Sequence, residues 1–214
     1  MYLVIDCETT GLPRDRYAPI QDVDKWPRVV QLAWALYDET EKLIDAVKCL
    51  IRPNGFVIPA EVQRIHHITT ERALSEGKDL VATLQALSLA EAGAEVLIAH
   101  NMEFDRKVIS AEYLRSGLEP PKVISAEYPR YGLEPPVDRK KRICTMTMPQ
   151  IVDYCAIPAK RGIPGKQKFK WPSLSDLHVK LFGSNFDEAH DAGADVAACA
   201  RCFFELKERG VILP

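Results

Sequence analysis

Asp6-Cys7-Glu8 sets two carboxylates at positions i and i+2 behind the short apolar, β-branched run Tyr2-Leu3-Val4-Ile5. That run reads as a buried strand ending at Asp6, and alternate residues of a strand share one face of a sheet. Like charges so close repel; a cation between them removes the conflict, and hard oxygen ligands select Mg²⁺ or Mn²⁺ over softer metals. A lone D-x-E also describes an exposed acidic strand end. A third carboxylate, Asp105, follows the apolar segment ending at Ala99, in Ala99-His100-Asn101-Met102-Glu103-Phe104-Asp105. It therefore arrives at the kind of sheet edge where α/β proteins place their sites, although alone it would serve as a helix N-cap. Further on, His190 and Asp195 flank a helix start with the small Ala192, Gly193 and Ala194 between them. Five residues turn about 140° around a helix axis, which puts His190 at the helix start or on the loop before it, reaching over the pocket that Asp195 faces. By itself His190 is a first-turn histidine without function.

These side chains need a scaffold, and the pattern supplies one. Segment 10–28 carries Gly11, Pro13, Pro19 and Pro27 and reads as a loop. Val29 to Tyr37 and Leu43 to Ile51 read as two strands joined by the polar Asp38-Glu39-Thr40-Glu41-Lys42, a hairpin. Pro59 suits a first helical position, and Asp79 to Glu91 repeats Leu80, Leu84 and Leu87 at helical spacing. Glu95 to Ala99 is another buried strand, followed by a helix from Phe104 through Leu114. The last helix, from about Asp191 to Glu208, shows an apolar stripe of Val196, Cys199, Phe203 and Leu206. Strands first, then alternation of strand and helix, predicts an α/β fold with a mixed sheet covered by helices.

The chain has 214 residues, 47% hydrophobic and 27% charged, which excludes collagen-like, low-complexity and disordered classes. No apolar stretch is long enough to span a membrane, and Asp6 and Glu8 stand where a signal peptide needs its apolar run, so no membrane partner and a cytoplasmic location are expected. The six cysteines are too scattered for a disulfide scaffold and read as thiols; Cys199-Ala-Arg-Cys202 has no second pair to complete a zinc site. Between Arg139 and Lys170 nine Lys and Arg residues face a single acid, Asp153. Such a stretch fits a solvated face or a track for phosphates, with Phe169 and Trp171 at its end. Segment 107–121 is repeated at once as 122–136, differing only at Leu114/Pro129 and Ser116/Tyr131. Pro129 in a helix interior costs about 3 kcal/mol, so the second copy reads as a tandem-duplicated surface insertion in a single domain spanning 1–214.

Three ordered motifs, Val4-Ile5-Asp6-Cys7-Glu8-Thr9-Thr10-Gly11-Leu12, His100-Asn101-Met102-Glu103-Phe104-Asp105 and His190-Asp191-Ala192-Gly193-Ala194-Asp195, resemble those of the DEDDh 3′-5′ exonuclease superfamily, including the proofreading subunits of bacterial replicative polymerases. Ile58-Pro59 with Ile65-His66-His67-Ile68-Thr69 resembles the family's loop near the terminal nucleotide. Two departures stand out. His67 occupies a position where the family usually has Gly, which puts the nucleotide pocket in question, and the second repeat copy has no counterpart.

The resemblance implies an RNase H-like mixed five-stranded sheet flanked by helices, and a metal-dependent 3′-5′ exonuclease releasing nucleoside 5′-monophosphates from DNA ends. Its cofactors would be two Mg²⁺ (or Mn²⁺), which can stabilise charge on both the attacking and the leaving oxygen. Asp6 would bridge the two ions, Glu8 and Asp195 would complete the site of the attacking water, and Asp105 would help hold the other ion. His190 would take the water's proton, a task that suits the unperturbed pKa of His. Thr9 and its neighbours resemble the part that meets the terminal 3′ hydroxyl. Leu12, Ile65, His66 and Phe104 complete the substrate-binding set; for Leu12, Ile65 and Phe104 a place in the core is the competing reading. Asn101 is expected to brace its loop. The expected partners are single-stranded DNA or frayed 3′ ends, with RNA and a DNA polymerase as further candidates. Two alternatives stay open: an RNA exonuclease or oligoribonuclease, since no residue selects the sugar, and a non-catalytic nucleic-acid-binding module associated with a polymerase.

Overall fold

A computed structural model describes residues 1–120, 140–159 and 169–213. The second repeat copy at 122–136 lies outside the described residues, as do Arg139, Lys160, Arg161, Lys166 and Lys168 of the basic stretch.

Strand β1 (Tyr2–Thr9) pairs antiparallel with β2 (Val29–Tyr37), which pairs antiparallel with β3 (Leu43–Leu50). On its other side β1 runs parallel to β4 (Val96–Ala99), and β4 parallel to β5 (Lys141–Cys144). The order β3-β2-β1-β4-β5 is a mixed five-stranded sheet. The described helices are α1 (Ala60–His66), α2 (Thr70–Glu76), α3 (Leu80–Gly93), α4 (Met102–Arg115), α5 (Pro149–Cys155), α6 (Leu174–Phe182) and α7 (Ala192–Glu208).

Leu3, Val4 and Ile5 are all buried because helices cover both faces of the central strand. Leu3, Ile5 and Cys7 face a cluster with Leu84 and Leu87 of α3 and Val108 and Ile109 of α4. Val4, Ala33, Ala35, Ile98 and Ile143 face Leu177 and Leu181 of α6 and Val196, Cys199, Phe203 and Leu206 of α7. Full burial of each large aliphatic or aromatic side chain contributes roughly 1.5–3 kcal/mol, so these two layers fix α4 and α7 against the strand that carries Asp6 and Glu8.

Several boundaries differ from the sequence reading. Strand β1 runs on to Thr9 instead of ending at Asp6, because β2 keeps pairing with it: Glu8 lies opposite Gln31, and Thr9 opposite Val29 after a bulge. Pro59 is the N-cap of α1, not its first helical residue. Asp79 and Asp191 likewise cap helices from outside, Asp79 accepting the Ala82 N–H at 2.8 Å. The first repeat copy is helical to Arg115 and turns out at Gly117, whose φ is +69°.

The stretch read as basic contains β5, whose Ile143 is buried between β4 and the helix layer. Its described cations are engaged by the protein: Lys140 donates to the Glu91 carbonyl, Lys141 to the Leu213 carbonyl, and Lys170 pairs with Asp176 at 2.9 Å. All six cysteines are free, and Cys199 and Cys202 are buried in the core. Among the described residues no helix is long and apolar enough to cross a membrane.

Candidate active site

Strand β4 stops at Ala99, so among the described residues the β4 side of β1 has no strand paired with it beyond Val4. Helix α4 fills that gap. Asn101, at φ +88°, reverses the chain in the left-handed region that Asn tolerates better than most residues, and Asp105 comes round within the first turn. Its Oδ1 accepts the backbone N–H of Cys7 at 3.1 Å and the Cys7 thiol at 3.2 Å. Asp105 is thus no N-cap; it is a buried acid tied to the residue between Asp6 and Glu8. Asn101 shapes the turn through its backbone, its side chain making no capping bond.

The other wall is the start of α7. Asp191 caps the helix, its Oδ1 accepting from Gly193 N–H at 3.0 Å and Ala194 N–H at 3.1 Å. His190 stands on the preceding loop at φ +72° and donates its backbone N–H to Asp195 Oδ2 at 3.0 Å. Glu8, His190 and Asp195 present ligand atoms within 4.8 Å of one another. Gly193 lets the Lys48 side chain lie close over the helix start, where a Cβ would come 2.6 Å from Lys48 Cδ and make that side chain shift.

Electrostatics mark this cluster off from the rest of the molecule. Burial, then the charges of Asp105, Asp195, Glu8 and Asp191, push Asp6 well above the carboxylate range. Burial, followed by Asp195, Asp105 and Asp191, raises Glu8 to about 8. Asp105 is raised to about 7 by burial, against the Cys7 hydrogen bonds that favour its charge. Burial also raises Asp195 to about 6, opposed by the His190 N–H and the nearby His190 ring. Four acids that resist ionisation, converging with oxygen donors and one imidazole, are a donor set that fits hard divalent cations, which would remove the repulsion they suffer.

The remaining residues singled out from the sequence are placed as follows. Thr9 is buried, and its hydroxyl donates to the Gly11 carbonyl at 2.7 Å. Leu12 is 85% exposed and Ile65 49%, so neither belongs to the core; Phe104 packs on the α4-side cluster. His66 is buried against the Thr9 backbone, its Nδ1 accepting the Ile68 N–H at 3.1 Å, and burial lowers its pKa. His67 caps α1 in the left-handed region at φ +58°, which explains why glycine suits this position; the imidazole there is exposed.

His100, the first residue of the second motif, is a structural pin. Its Nε2 lies 3.1 Å from the Pro172 carbonyl and must carry the proton, which leaves Nδ1 to accept from Thr145 Oγ1 at 2.9 Å. Burial lowers its pKa to about 4.

The sequence reading assigned no role to Gln31, Lys48 or Asp191. Gln31 is only 2% exposed; its Nε2 donates to Asp191 Oδ2 at 3.2 Å and its Oε1 accepts the Ala192 N–H at 2.8 Å. Lys48 pairs with Asp191 at 3.2 Å. Burial alone would raise Asp191, but the Ala194 N–H, Gln31 and Lys48 together hold it below its ordinary value. A polar residue inside the apolar run Val29-Val30-Gln31-Leu32-Ala33 was the signal for this network, as was an Asp directly before a helix.

The fold is that of exonuclease I. The E. coli enzyme in complex with a dT13 oligonucleotide superimposes with a TM-score of 0.68 at 19% identity, over 97% of this chain and 41% of that one. The zinc-bound form of the E. coli exonuclease I complex with single-stranded DNA gives 0.69 at 19%, over 97% and 40%. A product-bound exonuclease I gives 0.67 at 17%, over 98% and 44%. The chain spans less than half the length of these structures. No curated protein matches it. The sequence pattern of the exonuclease family RNase T matches residues 3–203, from the strand that carries Asp6 and Glu8 into the helix that carries Asp195. Continuous over all three motifs and the sheet between them, that match makes the chain a member of the RNase T exonucleases, within the DEDDh 3′-5′ exonuclease superfamily.

Proposed function

We propose that the protein is a divalent-metal-dependent 3′-5′ exonuclease that hydrolyses the terminal phosphodiester of single-stranded DNA. The observation that carries this reading is the convergence of Asp6, Glu8, Asp105 and Asp195, all with raised pKa values, beside an exposed histidine on a loop. Asp6, Glu8, Asp105 and Asp195 would hold two Mg²⁺ or Mn²⁺, which when bound supply charge stabilisation for the attacking and leaving oxygens. His190 faces Glu8 and Asp195 with its ring open to solvent, placed to accept a proton from a water held between them.

Leu12 and Ile65 are exposed apolar side chains flanking Thr9 and His66, a surface on which terminal bases of any sequence can pack. The apolar character of this surface suits a nuclease without sequence preference. DNA is favoured over RNA by likeness to exonuclease I, whose structures hold deoxyoligonucleotides.

The test incubates 5′-labelled DNA and RNA of one sequence with the protein in Mg²⁺ or Mn²⁺, beside EDTA. A metal-dependent ladder shortening from the 3′ end, faster on DNA, is expected. Intact strands with both metals would overturn the activity, and faster loss of RNA would overturn the sugar preference.

A further inference from the structure

We propose that Gln31 is a positioning residue of the candidate active site, registering the start of α7 against the carboxylate strand so that Asp195 and His190 meet Glu8. The proposal rests on the exonuclease reading for its kinetic consequence, but its first readout does not need activity.

The geometry is specific to an amide. Gln31 lies directly opposite Glu8 on the neighbouring strand, so the two side chains share the face that α7 covers. The adjacent row, Asp6, Ala33 and Lys48, carries the small Ala33 between the acid and the lysine. Almost fully buried, Gln31 uses both ends of its amide on the first turn of α7, accepting from Ala192 N–H and donating to the Asp191 carboxylate. The amide can face only one way, because a backbone N–H only donates and a carboxylate only accepts. A leucine in its place supplies neither bond, and an ionised glutamate supplies only the acceptor.

Two consequences follow for the site. The helix start is pinned at two successive residues, and Asp195 sits one turn further on, receiving the His190 N–H. Asp191, the fifth carboxylate near the cluster, is consumed by Gln31, Lys48, Gly193 N–H and Ala194 N–H, which leaves a cation to the four acids whose charge is not neutralised by a paired cation of the protein. The Lys48 side chain crosses Gly193 to reach Asp191, where a Cβ would make it shift.

The experiment measures Mn²⁺ binding to metal-stripped protein by calorimetric titration, and then kcat and KM on a labelled oligonucleotide, for Gln31→Leu, Gln31→Glu, Asp191→Asn and the double variant Gln31→Glu/Asp191→Asn. The double variant restores a donor-acceptor pair with reversed polarity: the amide introduced at position 191 donates to the carboxylate introduced at position 31, which still accepts from Ala192 N–H. Gln31→Leu and Gln31→Glu should each weaken Mn²⁺ binding and lower kcat by about 10- to 100-fold, the range of losses when the partner that orients a ligand is removed, with KM nearly unchanged. The double variant should recover most of both. If Gln31→Leu does not fold, the Gln31→Glu and Asp191→Asn series carries the test. Unaltered Mn²⁺ affinity in Gln31→Leu or Gln31→Glu, or a double variant no better than its singles, would overturn the proposal. Wild-type protein that binds Mn²⁺ but leaves every oligonucleotide intact would defeat the exonuclease reading instead, with the affinity series still deciding the role of Gln31.

Discussion

Replacing Asp195 with asparagine should stabilise the metal-free protein at alkaline pH while removing its response to metal. Asp195 is shifted from 3.8 to about 6, chiefly by burial. One pK unit is about 1.4 kcal/mol, so its charged form costs the folded state about 3 kcal/mol, which partial contact with solvent trims to about 2 kcal/mol. The sign follows from proton counting. Between about pH 4 and pH 6 the unfolded chain has lost the Asp195 proton and the folded chain has kept it, so stability falls as pH rises and stays lower above the folded value. The amide of Asp195→Asn carries no such penalty and still offers an oxygen to the His190 N–H. Urea unfolding in EDTA should therefore show the two proteins nearly equal near pH 4 and the variant about 2 kcal/mol more stable near pH 8. Comparing the two cancels groups that do not interact with Asp195, such as His100, whose lowered pKa works in the opposite direction; Glu8 and Asp6, relieved of the Asp195 charge in the variant, shift the difference further in the same direction. With Mg²⁺ at about a hundred times its dissociation constant the wild type gains about 2.7 kcal/mol by mass action, and the variant gains far less. A variant less stable than wild type in EDTA near pH 8, or equally stabilised by Mg²⁺, would refute the assignment of Asp195 as a strained carboxylate awaiting a cation.

Four other outcomes are expected. His190→Asn should lower kcat by about 10²–10⁴-fold, the usual worth of a general base, with little change in KM in steady-state digestion of labelled oligonucleotide. Glu112 is buried with Oε1 on Arg28 Nε at 2.9 Å, Arg115 Nη1 at 3.2 Å and Val29 N–H at 2.9 Å; Glu112→Gln should cost about 1–3 kcal/mol in urea unfolding, because it removes the charge that these two half-buried guanidinium groups share. The His100 ring should stay neutral in a proton-NMR titration down to about pH 4, and the stability it contributes, present above its ordinary value of 6.5, should be lost as pH falls between those limits. His67→Gly should raise stability by up to about 1 kcal/mol in the same unfolding assay, since glycine occupies the left-handed C-cap without strain.

The parts of the fold visible in the sequence are those whose pattern is local. Strand β2 coincides with the apolar run Val29–Tyr37, and α7 with the stripe through Val196, Cys199, Phe203 and Leu206. Strand β5 was hidden because two of its four residues, Lys141 and Arg142, are basic, and it is held in place by pairing with β4 rather than by its own pattern. Helices α2 and α5 are each only seven residues long and bury few side chains. Helix α6 did carry a local signal, the capping box of Ser173 and Asp176, but it is masked by Pro172 and the run of lysines before it, which read as charge rather than as a helix start.

The candidate site divides along the same line. Asp6, Glu8, Asp105, His190 and Asp195 were legible because acids beside strand ends and before helices conflict with the structure around them unless something else is bound, and such local conflicts are where function is expected. The backbone repeats the pattern: Asn101, His190 and His67, three of the non-glycine residues at positive φ, belong to the three segments that surround Thr9 and Glu8. What makes those acids a site, however, is carried by contacts that span the chain. Gln31 reaches Asp191 across 160 residues of sequence, and Cys7 reaches Asp105 across 98. A glutamine in a strand says little until the strand opposite is known to carry Glu8 and the helix above to begin at Asp191. The residues of the candidate site could therefore be picked out by type, whereas their mutual placement depends on the register of β2 against β1 and on where α7 starts, and both are set by packing.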